Sequence, residues 1–161
     1  MQKSLRKPFF QLFGEMKGKF SLLLDGIVDI FRKFVKMSIM FLTRHMNAEL
    51  TELVFILDRS GSMGGLESDT IGGFNGMITK QKAQGKKVNV TTVLFDDEVD
   101  IIHDRFPVEI VEPLTEKEYF ARGCTALLDA VGRAIEKMEN VQKHLPEDHR
   151  AGKIIFVITT D

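Results

Sequence analysis

Five apolar residues in a row, Leu53 to Leu57, end abruptly at Asp58, and the polar turn Ser60-Gly61-Ser62 follows. A short apolar run containing Val and Ile, without polar alternation, is the pattern of a strand buried on both faces. A buried helix is the competing reading. Ser and Gly favour caps and turns over helix interiors, which argues against it. A doubly buried strand must lie inside a sheet covered by helices on both sides, so the chain is expected to be α/β. Asp58, Ser60 and Ser62 then fall just past the carboxyl end of a central strand, where open α/β sheets bind their ligands.

The remaining elements follow from periodicity and punctuation. A helix is expected from about Leu66 to Gln84, with Ile71, Phe74, Met77 and Ile78 facing the sheet and Gly85 closing it. Val88 to Phe95 reads as a second strand, and Val99 to Ile102 as a short antiparallel return after the acidic turn Asp96-Asp97-Glu98. That turn lacks the fixed Gly and terminal Glu of a calcium loop, so it is expected to be solvated. Residues 106–114 read as an irregular connection. Thr115 and Glu118 form a capping-box pair, which predicts a short helix start. A second long helix is expected from about Ala126 to Gln142, and a last strand from Lys153.

Asp58, Ser60 and Ser62 bring one carboxylate and two hydroxyls within five positions. All are oxygen donors, the choice of hard cations such as Mg²⁺. Alternate spacing lets a curving loop aim the three inward. The competing reading is a helix N-cap, a common use of Ser and Asp.

Asp58-Arg59-Ser60-Gly61-Ser62 after a hydrophobic strand resembles the first motif of the von Willebrand factor type A (vWA) domain, D-x-S-x-S. Gly123-Cys124-Thr125 resembles the family's second piece, a Thr in a glycine-bearing loop that opens a helix. Asp161, after the strand Ile154 to Thr160, stands where the third piece is expected. The three come in the family's order, over residues 50–161. The Gly that normally follows the third motif, and roughly the last third of the usual domain, are not in this sequence. The resemblance implies an open, mostly parallel Rossmann-like sheet with strand order 3-2-1-4, incomplete at its C-terminus. It implies a metal-ion-dependent adhesion site built from Asp58, Ser60, Ser62, Thr125 and Asp161, holding Mg²⁺ (or Mn²⁺). Its function would be recognition of a partner protein's Asp or Glu side chain, without catalysis.

Two other function classes compete with this reading. A serine hydrolase would use Ser62 on its strand-to-helix turn, but Ser60-Gly61-Ser62-Met63-Gly64 lacks the first Gly of G-x-S-x-G. No following Asp and His are evident, so the chain is expected not to be an enzyme. The third reading is a truncated fragment without independent function, whose last strand, Ile154 to Ile158, forms an exposed apolar edge. The single cysteine, Cys124, permits no intrachain disulfide, which fits a reducing, cytoplasmic compartment. A small buried thiol is its expected fate. His144 and His149 lack the company of a zinc motif.

Charge divides the chain. Residues 1–47 hold nine Lys/Arg against three Asp/Glu, or +6, and residues 48–161 hold thirteen against twenty, or −7. The acidic main part argues against a nucleic-acid partner. Within the basic extension, residues 20–42 read as an amphipathic helix. Asp25, Asp29, Arg32 and Lys36 form one stripe, and Leu23, Ile27, Ile30, Phe34, Met37 and Phe41 the other. The charges make a membrane span too costly, at roughly 2.5–3.5 kcal/mol for each central one. Three readings stay open for residues 1–47: a helix on a membrane surface or partner, a helix packed on the domain, or a spurious start with Met46 as the true one. The domain proper is expected over 48–161.

Overall fold

A computed structural model describes residues 26–37 and 47–161 of the chain. It is an α/β fold with a four-stranded open, mixed sheet flanked by helices. The strands are β1 (Asn47–Asp58), β2 (Lys87–Phe95), β3 (Val99–Pro107) and β4 (Ala151–Thr159). Residues 26–37 form helix α1, and α2 (Glu67–Gln84) and α3 (Leu127–His144) follow β1 and β3. The sheet order is β3-β2-β1-β4. β1 runs parallel to β2 and to β4, and β3 returns antiparallel to β2.

β1 is central because its side chains are apolar in both directions. Successive strand residues point to opposite faces. Leu53, Phe55 and Leu57 join Phe74 and Ile78 of α2 and Val88, Val90 and Leu94 of β2 in one core. Val54 and Ile56 join Val93 and Phe95 with Ala130, Val131, Ala134, Ile135 and Met138 of α3 in the other. Each fully buried side chain of this kind contributes roughly 1.5–3 kcal/mol from burial, so β1 carries much of the driving force for both layers. α2 ends at Gly85, whose φ of +62° is the left-handed cap that Gly adopts without strain.

Three expectations are corrected: the length of β3, the helix start at Thr115 and the burial of Cys124. β3 extends through Pro107 rather than stopping at Ile102. Its residues lack a clean two-residue period because the pairing with β2 shifts register twice, between Val90 and Thr92 and between Thr92 and Val93. Polar contacts hold it instead: His103 Nδ1 lies 3.0 Å from Thr92 Oγ1, and the Arg105 amide donates to Thr91 Oγ1 at 3.2 Å. The capping box at Thr115 builds a single turn and no helix, although the Thr115 amide does donate to Glu118 Oε2 at 3.1 Å. Thr125 caps no helix: Ala126 precedes α3, without a side-chain cap. Cys124 is exposed, because its loop stands above the sheet edge.

The expected amphipathic helix over 20–42 is described only within 26–37; the rest, with residues 1–19 and Met46, lies outside the described residues. α1 lies on the domain. Ile30, Phe34 and Met37 pack into the α3-side core, and Phe34 meets Phe156 of β4 edge-on at 5.6 Å. Lys33 Nζ pairs with Glu136 and Lys36 Nζ with Glu139 of α3, both at 2.6 Å. Ile27 departs from the expected inward stripe and is 48% exposed. Among the described residues, no helix is long and apolar enough to cross a membrane.

Candidate functional site

The carboxyl end of β1 delivers Asp58 into a fully buried position. Its Oδ1 accepts the Ser60 amide at 2.8 Å, closing a tight local turn, and its Oδ2 accepts the hydroxyl of Thr160 at 2.8 Å. The Tyr119 hydroxyl, itself buried, donates to the Asp58 backbone carbonyl. Both ends of this residue are thus held before any ligand is considered.

Ser60 Oγ and Ser62 Oγ lie 3.1 Å apart. Gly61–Met63 form a single 3₁₀ turn, and Ser60, at its cap position, makes no side-chain cap bond. α2 starts later, after Leu66. The N-cap reading of these serines is therefore not what the fold uses: their hydroxyls face each other instead of the backbone amides of a helix.

The second loop is stitched to the first. Gly61 N donates to the Gly123 carbonyl at 3.0 Å, and Arg122 N to the Arg59 carbonyl at 2.7 Å. Gly123 has φ +66°, and a Cβ there would meet Asp97 Oδ1 at 2.7 Å. Asp97 in turn accepts the Cys124 amide. A Gly123→Ala variant is expected to lose about 1–2 kcal/mol of stability, since it forces a side chain into left-handed backbone and displaces Asp97. The shift of a urea unfolding midpoint measures it; an unchanged midpoint would mean that the loop relaxes freely.

Beneath both loops lies a cluster of charge that sequence reading misjudged. The turn Asp96-Asp97-Glu98 is not simply solvated: Asp96 is 2% exposed. Its Oδ2 accepts Arg59 Nε and Arg122 Nε, each at 2.7 Å, and its Oδ1 accepts the Glu98 amide at 2.8 Å. Arg59, also buried, reaches Asp100 at 2.5 Å. Burial pushes the Asp96 carboxyl toward its neutral form. The Arg122 guanidinium, the Glu98 amide and the Arg59 guanidinium outweigh that and hold it at about 2. Asp96 therefore clamps one arginine from each loop. The signal in the sequence was Arg59 itself, a charge between Asp58 and Ser60 that has to find a partner once its strand end is buried.

Of the five expected ligands, Asp58, Ser60 and Ser62 are brought together. Thr125 stands exposed on the stitched loop, two residues after Gly123, and Asp161 is exposed directly after Thr160. No hydrogen bond ties either of these side chains to the first three. Thr160, Tyr119 and the Arg59–Asp96–Arg122 clamp are additions that no motif pointed to. Among the described residues, no group of three or more His, Cys, Asp or Glu is placed to hold a metal ion. The candidate set is of another kind, two carboxylates with three hydroxyls.

Beside this site, an apolar groove of about 330 Å³ runs between α2 and β4, lined by Phe55, Phe74, Met77 and Val157 and reaching Thr160. Comparison of the chain with protein-family models, curated proteins and solved structures gives no match.

Proposed function

We propose that this chain is a vWA-type binding module that recognises an acidic side chain of a partner protein through a Mg²⁺ (or Mn²⁺) held at the carboxyl end of β1. The observation that carries this reading is the pair of hydroxyls at Ser60 and Ser62. They lie 3.1 Å apart, cap no helix, and stand next to a buried carboxylate. A hard cation takes such oxygens. The strand order β3-β2-β1-β4, with β3 antiparallel, supports the same reading, being the order the resemblance implies. So does the stitching of the Thr125 loop to the Ser60 loop.

The donor set fits a divalent ion on chemical grounds. Ser60, Ser62 and Thr125 would supply neutral oxygens, and Asp58 and Asp161 the negative charge. Asp58 already spends one oxygen on the Ser60 amide and one on Thr160, so its role is to supply the field and to fix the serine turn. Bound there, the ion would offer Lewis acidity that neutral ligands leave only partly satisfied, and a partner carboxylate completes it. In this reading the chain's own residues position and recognise, and no proton transfer or nucleophilic attack is asked of them.

Isothermal titration of Mg²⁺ into the wild-type chain and into Ser60→Ala tests the reading. The wild type is expected to bind one ion per chain, and Ser60→Ala to bind at least tenfold more weakly, the loss of one oxygen ligand costing about 1.4 kcal/mol or more. Equal affinity in the two would place the ion elsewhere and end the proposal.

A further inference from the structure

The loop that carries Ser60 and Ser62 is fixed one backbone group at a time. The Arg59 amide donates to the Phe95 carbonyl at 2.8 Å, and the Arg59 carbonyl accepts the Arg122 amide at 2.7 Å. The Ser60 amide goes to Asp58 Oδ1, the Ser60 carbonyl accepts the Met63 amide at 3.0 Å, and the Gly61 amide reaches the Gly123 carbonyl. The Asp58 carbonyl differs in kind, because its partner is a distant side chain, the Tyr119 hydroxyl.

Tyr119 is held firmly. Its side chain is fully buried, in the core that also contains Leu57 of β1, Phe74 of α2, and Val108, Val111 and Leu114 of the connection between β3 and α3. That connection is tied to α2. Asn75 Nδ2 donates to the Leu114 carbonyl at 2.9 Å, Asn75 Oδ1 accepts the Leu114 amide at 2.8 Å, and Lys82 Nζ donates to the Val111 carbonyl at 2.8 Å. The Tyr119 amide donates to the Thr115 carbonyl at 3.0 Å. Packing asks only for an apolar ring at this place. A buried hydroxyl costs free energy unless it is bonded, so its presence is explained by the carbonyl it holds.

We propose that Tyr119 is a positioning residue for the candidate site: its hydroxyl, through the Asp58 carbonyl, sets the direction in which Ser60 and Ser62 present their hydroxyls. The Asp58 carbonyl and the Arg59 amide belong to one planar peptide unit. Tyr119 holds that plane at one end and Phe95 at the other, so it cannot turn. Without the phenol oxygen the plane pivots on a single bond, Ser60 moves with it, and the 3.1 Å pairing of the two serine hydroxyls loosens. The consequence for metal binding rests on the function proposed above; the geometry stands on the hydrogen bonds alone.

Tyr119→Phe tests this, since it keeps the ring and removes one oxygen. It is expected to bind Mg²⁺ about 10–100-fold more weakly by titration calorimetry, the usual loss when a group that orients a ligand is removed. Without metal, the Arg59 and Ser60 amides should exchange with solvent at least about tenfold faster, and those of β2 much less. Val111→Ala, in the same core, serves as the control: it should lose stability and keep its Mg²⁺ affinity. Unchanged exchange at Arg59 and Ser60 would overturn the inference, and so would an equal loss of Mg²⁺ affinity in Val111→Ala. A wild type that binds no Mg²⁺ ends the metal reading, and the exchange rates then uphold or overturn the positioning role by themselves. Circular dichroism checks folding. Should Tyr119→Phe not fold, 3-fluorotyrosine replaces it, because Tyr119 is the chain's single tyrosine. Its fluorine resonance should then shift with the Mg²⁺ titration of the site, and a resonance indifferent to bound Mg²⁺ would refute the link.

Discussion

Replacing Asp96 by Asn is expected to lower the stability of the fold by about 3–5 kcal/mol, the range for removing one partner from a buried ion pair. The carboxylate is 2% exposed and accepts from two guanidinium groups. An amide of the same shape would turn its NH₂ either toward both guanidinium groups or toward the Glu98 amide, itself a donor, and would leave Arg59, buried with it, with Asp100 as its remaining counter-charge. The effect extends to function. Arg59 belongs to the Asp58–Ser62 loop and Arg122 to the Thr125 loop, so Asp96 sets their separation. On the proposed reading, Asp96→Asn should therefore also weaken Mg²⁺ binding, without touching a proposed ligand. Urea unfolding and titration calorimetry on the same variant measure the two losses; full stability would show the clamp to be dispensable.

The same residue fixes the response to acid. Its folded-state value of about 2 lies below the ordinary 3.8. A carboxyl depressed on folding contributes stability that is present above the unfolded value and lost as pH falls through the folded one. The wild type should therefore lose a contribution on the order of 2 kcal/mol between about pH 4 and pH 2. Asp96→Asn should lack that part of the acid slope, so the two stability curves converge as pH falls. Parallel curves across this window would show that Asp96 is not held ionised by its arginines.

The second large effect is expected at the opposite end of the sheet. Glu52 is fully buried in β1, and its Oε1 accepts Arg105 Nε at 3.0 Å, Arg105 Nη2 at 2.8 Å and Asn89 Nδ2 at 3.0 Å. Its Oε2 is buried and has no hydrogen-bond partner among the described residues. Arg105→Met should thus cost about 3–5 kcal/mol, because it strands a carboxylate out of water. The double variant Glu52→Leu/Arg105→Met should regain most of that loss and could exceed the wild type, since removing both charges of a buried pair is often neutral or stabilising. Additive single and double effects in urea unfolding would contradict the coupling. Mg²⁺ binding is expected to be unchanged in the double variant, because this pair lies at the amino half of β1, away from Ser60 and Ser62. The two buried ion pairs thus have different tasks: one ties the candidate site together, and the other holds the polar edge strand β3 on the sheet.

The amino-acid order alone determined the elements that rest on local pattern. β2, β4, both long helices and the carboxyl half of β1 lie close to where apolar runs, helical spacing and the closing Gly85 put them, because burial on one or two faces is written in the period of the side chains, whereas β1 reaches back to Asn47, beyond its apolar run. The triad Asp58, Ser60 and Ser62 was legible for a similar reason, since a loop just beyond a buried strand is placed by that strand. Tertiary structure decided everything that depends on partners distant in the chain. It extended β3 through a stretch with no period of its own, since Glu52, Thr91 and Thr92 of neighbouring strands hold it. It turned Asp96 from a solvated turn residue into a buried clamp, because Arg59 and Arg122 converge on it from loops 37 and 26 residues away. It took the serines out of the capping role that their types suggest. The physical reason is common to all three: a hydrogen bond or ion pair across the fold has no period and no fixed spacing, so a residue such as Arg59 can signal the need for a partner, but which residue answers it is decided only when the chain has closed.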